Sequence, residues 1–255
     1  MSTYGIWLSA AGMKLNDHRQ AVLTNNVANA DTTGFKHDLA IFTQRSIESR
    51  ENPTAPGLSA PGLAGLSGGV HVRPSFISFA QGPIVRTDRP LDVAIQGEGF
   101  FTVSNGDVTR YTRDGEFARN KRGELVLAAG DGRWRVLGDD GSPIVLSEDG
   151  KPASIRSDGT VREGEEVIAV LGMAKPEDLT RLRKVGENLF EPVDTPMSPV
   201  ETNLVEGSRE SSNFDVMKGL ASLIAVSRAY QLNATMIQLQ DQMSAQAVSR
   251  IARVA

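Results

Sequence analysis

Apolar and polar residues recur along this chain at two different periods, and the switch between them divides it into regions. From about Tyr4 to Ala30 the period is helical. Leu8, Ala11, Leu15 and Val22 share one face, Ile6 and Met13 begin a second, and Lys14, Asp17 and Gln20 lie opposite. Asp31-Thr32-Thr33-Gly34 supplies a stop, because glycine takes the left-handed conformation that ends many helices. From Asn213 to about Arg253 a second, longer helix is expected. Ser212 followed by Asp215 fits a capping box at its start. Val216, Leu220, Leu223, Tyr230, Ile237, Val248 and Ile251 lie on an a/d-like seam, which Ser227, Ala234, Asp241 and Ser244 interrupt. Phe214, Met217, Ile224, Val226, Met236, Leu239 and Met243 are apolar off that seam, so this helix calls for more than one neighbour.

Between the helices the period falls to two. Short apolar or alternating runs, among them Leu91 to Ile95, Phe100 to Val103, Trp134 to Leu137 and Val167 to Leu171, are separated by Asp-Gly turn signals. Those signals fall at 114–115, 131–132, 140–141, 149–150 and 158–159. Tight hairpins in an antiparallel all-β domain follow. Before them, from Glu51 to Gly69, Pro, Gly and Ser dominate and leave little apolar area to bury. The expected fold class is therefore α+β: long N- and C-terminal helices packed together as a coiled-coil-like domain, plus a central antiparallel all-β domain. Residues 1–45 carry the first helix, 46–69 the Gly/Pro-rich arm, 70–205 the β-rich domain and 206–255 the second helix.

Composition narrows the function classes. With no cysteine among 255 residues, disulfides, thiolate metal sites and cysteine nucleophiles are excluded. A net charge of −4 with interspersed signs gives no basic footprint for nucleic acid. No apolar run reaches the length of a membrane span, and no charged n-region followed by an apolar stretch marks a cleaved signal peptide.

Candidate chemistry is sparse. Gly65-Leu66-Ser67-Gly68-Gly69 matches a nucleophile elbow but lacks the strand and helix that would hold Ser67 on a strained turn. His18, His37 and His71 lack metal-ligand spacing. Acidic residues sit in turns, where aspartate supports the local backbone. No catalytic residue, metal ligand or cofactor is nominated.

The cluster Asn25, Asn26 and Asn29 is costly in a helix, because asparagine competes for backbone hydrogen bonds. The stretch from Asn25 through Gly34-Phe35-Lys36 closely resembles the N-terminal signature of the flagellar rod and hook protein family. Arg89-Pro90-Leu91-Asp92-Val93-Ala94-Ile95-Gln96-Gly97-Glu98-Gly99-Phe100-Phe101 resembles the opening of its β domain, and Tyr111 to Phe117 its next hairpin. Glu206-Gly207, Ser212-Asn213 and Arg228-Ala229-Tyr230 follow in the family's order. The resemblance implies a self-assembling subunit of a torque-transmitting axial rod, whose terminal helices form the inner tube with those of neighbours. It points to a proximal-rod member, with a distal-rod member or a non-polymerising adaptor as alternatives. The implied partners are copies of itself, other rod proteins and the flagellar type III export apparatus. The implied location is the periplasmic rod of the basal body. Leu8, Leu15 and Val22 of the first helix, with the seam of the second, are the expected assembly surface.

Overall fold

The computed structural model describes residues 4–44, 69–147 and 151–251. The chain forms two units. One joins the residues up to Val27, Asp38 to Phe76, and Asp215 onward; the other joins Ala28–His37 to Ile77–Phe214. The arm at 46–68, Ser67 with it, and the Asp149-Gly150 turn lie outside the described residues.

The helical unit holds α1, Tyr4–Ala28, and α2, Val216–Ile251. At 1.5 Å per residue the 36 residues of α2 extend about 54 Å. Its cap is Asp215 itself: Oδ1 accepts from the Lys218 amide at 3.1 Å, and the Asp215 carbonyl accepts from Gly219. Ser212 only turns the chain before that, accepting from the Phe214 amide. The helix therefore begins three residues later than the sequence suggested.

The two helices pack antiparallel. Gly5 lies under the side chain of Gln240, and Gly12, one turn pair further on, under that of Asn233. A Cβ on Gly12 would sit 3.0 Å from Asn233 Oδ1. Ser9 and Asn16, on the same stripe of α1, are buried. The coiled-coil-like pair expected from the seam is not what forms. On α2 the covered stripe passes through Gly219, Leu223, Val226, Tyr230, Asn233, Ile237 and Gln240, so the three-and-four spacing is present. Opposite it stand glycine, serine and asparagine. A coiled coil needs apolar knobs entering holes from both sides. Small and polar residues instead let the backbones approach and leave amide groups at the contact.

A short antiparallel pair of strands belongs to this unit, with Phe42 opposite Val72 and Gln44 opposite Val70. His18 meets the Phe42 ring edge-on at 5.9 Å, and the Arg19 guanidinium lies 4.9 Å above it. Trp7 presses on Gly69, whose φ of 93° leaves no room or conformation for a side chain.

The β unit is antiparallel throughout. Its largest sheet has nine strands, running from Leu182–Lys184 through Leu189–Pro192, Thr109–Thr112, Phe100–Ser104, Arg135–Val136 and Leu125–Leu127 to Phe117–Arg119. Met173–Pro176 also pairs with Phe100–Ser104, and Met197–Pro199 pairs with Met173–Pro176. A three-stranded sheet runs Ala153–Ile155, Thr160–Glu163, Glu166–Val170. Two further pairs matter for the site: Val93–Gln96 with Asn203–Glu206, and Ile84–Arg86 with Ser208–Glu210. The core is aliphatic with a few rings: Ile95, Phe101, Phe117, Leu125, Leu127 and Leu171 are almost wholly buried. A second cluster of Phe100, Leu182 and Phe190 is sealed by Phe79.

Candidate functional site

Two features qualify, one in each unit. In the β unit it is a knot of buried charge. The strand Ser208–Glu210 alternates so that Ser208 and Glu210 point inward. Glu210 is completely covered, and an isolated buried carboxylate would be expensive. Its Oε1 accepts from Lys36 Nζ at 2.6 Å and from the Gly82 amide at 2.8 Å; Oε2 faces Arg113 Nη1 at 3.3 Å. Lys36 also donates to the Ala80 carbonyl, and Arg113 to the Gly97 carbonyl, with its guanidinium 5.1 Å over the Phe100 ring. Burial holds both Lys36 and Arg113 below their usual pKa ranges, and the Glu210 charge pulls against it. One carboxylate thus serves two cations at the centre of the unit.

Around the knot the segment Thr33 to His37 is fastened at every residue. Thr33 donates to Glu116 Oε2 at 2.7 Å, and its carbonyl accepts from the Asn188 side chain. Gly34 donates to the Glu210 carbonyl at φ 68°, so close to residues 113–114 that a Cβ would lie 2.5 Å from the Arg113 carbonyl carbon. Phe35 is buried beneath Lys184 Nζ, 4.3 Å from its ring centre. Asn213 Oδ1 accepts from the His37 amide, and Asn213 Nδ2 donates to the Ser78 and Ala80 carbonyls. Those two donations fix the amide's orientation, so His37 Nδ1, 2.8 Å from Oδ1, must carry a proton.

Beside this segment lies a second charged cluster. Asp92 is fully buried, accepts from Thr87 Oγ1 and faces Arg89 at 3.5 Å. Arg89 and Arg209 both reach Glu116. Burial pushes the Asp114 carboxyl up to about 7; the amide of Glu116 opposes the shift, while the charges of Glu116 and Asp92 add to it.

Several expected signature residues take part in these arrangements. Asn26 is buried in α1 and holds both the carbonyl and the amide of Asp38, at 2.8 and 2.9 Å. Asn25 is exposed, and Asn29 supplies carbonyl and side-chain acceptors to Thr32. The Pro90 carbonyl accepts from Ile155, and Gly97 and Gly99 have φ of 117° and 121°. Phe100 is core. Glu210 has no place among the sequence expectations; Lys36, Arg113, Asp114 and Asn213 enter there only as members of the signature runs, with no role of their own. Inward-facing polar residues in short strands leave no hydrophobic periodicity, so nothing local marks Glu210 as buried.

In the helical unit the feature is an apolar stripe on α2, on the side away from Asn233 and Gln240. Met217, Leu220, Ile224, Leu232, Met236, Leu239 and Met243 are between 42% and 77% exposed. Arg228, Gln231, Thr235 and Gln242 interrupt it. Seven large apolar side chains this exposed along one helix are the kind of surface that marks an interaction site. Of the expected assembly surface, Val216 and Leu220 are exposed, as is Leu8 on α1; Leu15, Val22, Leu223, Tyr230 and Ile237 are half covered. The side chains of Val248 and Ile251 lie outside the described ones. No cluster that could hold a metal occurs among the described residues, and none of their helices is long and apolar enough to cross a membrane.

Comparison with known proteins gives this geometry a family. Residues 9–36 match the model "Flagella basal body rod protein", residues 94–163 "Flagellar hook protein FlgE/F/G D1 domain" and residues 205–250 "Flagellar basal body rod FlgEFG protein C-terminal". The flagellar basal-body rod protein FlgF of Caulobacter vibrioides is 34% identical over 236 residues, covering 91% of each chain. The chain belongs to the flagellar basal-body rod protein family. The rod protein FlgG of Buchnera aphidicola (from Acyrthosiphon pisum) is also similar to this rod-family chain, 31% identical over 93% of it and 96% of the relative. The hook protein FlgE of Helicobacter pylori shares 37% over 130 residues, which are 49% of this chain and 18% of that protein. These relatives are named as structural parts of the flagellum, not as enzymes. Matches at 9–36 and 205–250 take in the Lys36–Glu210 tie from both sides, and 94–163 takes in Arg113.

Proposed function

We propose that this chain is a self-assembling subunit of the proximal part of the flagellar rod, a torque-bearing element of the basal body that has no catalytic role. The carrying observation is the outer stripe of α2, a run of large apolar side chains that α1 leaves uncovered. Burying it between copies, or against the helices of other rod proteins, supplies the association energy at roughly 25 cal/mol per Å². The proximal assignment rests on the run Arg89 to Ala94 and on similarity to a FlgF protein. Delivery by the flagellar type III export apparatus and a position across the periplasm belong to the same reading. The distal rod is the alternative, favoured by the similarity to FlgG proteins.

The test replaces Leu232 or Leu239 by Asp. Each puts a carboxylate on the stripe while leaving the Gly5–Gln240 and Gly12–Asn233 contacts alone. The full-length variants should keep the wild-type melting transition of the β unit and lose concentration-dependent assembly in sedimentation. Normal assembly by both would remove the stripe as the interface.

A further inference from the structure

Six of the seven methionines are described, and they divide sharply. Met13, Met173 and Met197 are half covered. Met217, Met236 and Met243 are 77%, 48% and 52% exposed, and all three lie on the outer stripe of α2. Methionine is the one large apolar side chain that mild oxidants convert to a polar one. Leucine and isoleucine, which fill the rest of the stripe, are inert to them.

We propose that Met217, Met236 and Met243 form a peroxide-sensitive modification site on the unassembled subunit, and that their oxidation blocks docking of the α2 stripe. The inference rests on the assembly reading above. The step balances with a hydroperoxide as oxidant. The thioether sulfur attacks the terminal peroxide oxygen, an S–O bond forms and the O–O bond breaks. The sulfur loses two electrons, and the leaving oxygen takes up a proton to depart as water or an alcohol. The product sulfoxide carries a strong acceptor oxygen. Docking would have to desolvate that oxygen beside large apolar side chains, Leu220 for Met217, Leu232 and Leu239 for Met236, and Leu239 for Met243, which costs free energy wherever no donor reaches it. In the assembled state the same sulfurs are covered, so susceptibility should report assembly.

The experiment treats the full-length chain with hydrogen peroxide before and after assembly, with peptide mass spectrometry and sedimentation as readouts. In the unassembled chain, the 16 Da additions should accumulate at Met217, Met236 and Met243 several-fold faster than at Met173 or Met197. The oxidised chain should need at least about tenfold more protein to assemble, and methionine sulfoxide reductases should reverse this. A triple M217L/M236L/M243L variant, close to volume-conserving, should assemble normally and become indifferent to peroxide. Equal oxidation at all six sites, or unchanged assembly by a chain oxidised at all three, would overturn the proposal. Failure of the untreated chain to assemble would instead defeat the assembly reading, while the pattern of oxidation would still decide whether the three sulfurs are the exposed ones.

Discussion

Glu210 shows how much one side chain can hold. Glu210→Gln keeps the shape but leaves Lys36 and Arg113 charged and buried beside a neutral amide. That should cost about 3–5 kcal/mol of β-unit stability in urea unfolding. Lys36→Met should cost less, about 1–3 kcal/mol, because Arg113 still pairs with Glu210 and Asn213 still serves the Ala80 carbonyl. Equal costs would mean that Arg113 does not share the carboxylate. Asp114 gives a pH signature of opposite sense to ordinary acid unfolding. Unfolded, it loses its proton near 3.8; folded, near 7. The folded chain therefore binds more protons in that window, and stability is greatest below it and falls as pH rises through about 7. The full span amounts to about 4 kcal/mol. Asp114→Asn keeps an acceptor for the Glu116 amide, so it should flatten this slope between pH 4 and 8 and stabilise the chain most at the alkaline end. An unchanged slope would assign the effect elsewhere. These polar core residues were hard to read in the sequence for a physical reason: a buried Glu and a surface Glu look alike until the partner arrives from 174 positions away. The turns were legible, because Asp-Gly at 131–132, 140–141 and 158–159 acts through its own backbone, and Gly132, Gly141 and Gly159 all have positive φ.

For the two helices, local pattern gave their presence but not their orientation. An amphipathic sequence with two apolar faces does not say which one a neighbour covers, and here the neighbour covers the face that holds Gly219, Asn233 and Gln240. Leu220 and Leu223 were assigned to one seam; on α2 they lie on adjoining rows, one exposed and one half covered. The missing information was on α1, where Gly5, Ser9, Gly12 and Asn16 form a stripe that no hydrophobicity pattern picks out. The contact can be tested by a double-mutant cycle. Gly12→Ala gains helix propensity, about 1 kcal/mol, but sets its Cβ against Asn233. Asn233→Ala removes that obstacle. The propensity gain should therefore appear only in the double variant, with a coupling of about 1 kcal/mol or more in thermal unfolding followed at 222 nm. Additive effects would mean that the helices do not meet there.

For the molecule as a whole, the proposed interface is short of charge. Over α2 from Val216 to Ala247 the charged residues are Lys218, Arg228 and Asp241. Assembly through such a surface should strengthen with sulfate, which favours apolar burial, and should survive ionic strengths that screen exposed ion pairs. Sedimentation across a salt series checks this, and dissociation in moderate sodium chloride would point to a charged interface. A stripe docking on a different surface of the next copy is a head-to-tail contact, which extends into a helix where the rotation does not close.

The fastening of Asn213 to His37 has a consequence for how such proteins can change size. The His37 carbonyl accepts from the Ser78 amide and Asn213 Nδ2 donates to the Ser78 carbonyl, so the two ends of the long β segment Ile77–Phe214 lie side by side. Whatever lies between them is a cassette with adjacent ends, the arrangement in which insertions are best tolerated. Extra strands or whole domains can be spliced into its far loops without moving the ends apart. A relative more than five times the length of the shared segment, as the Helicobacter pylori hook protein is, then needs no redesign of the clasp.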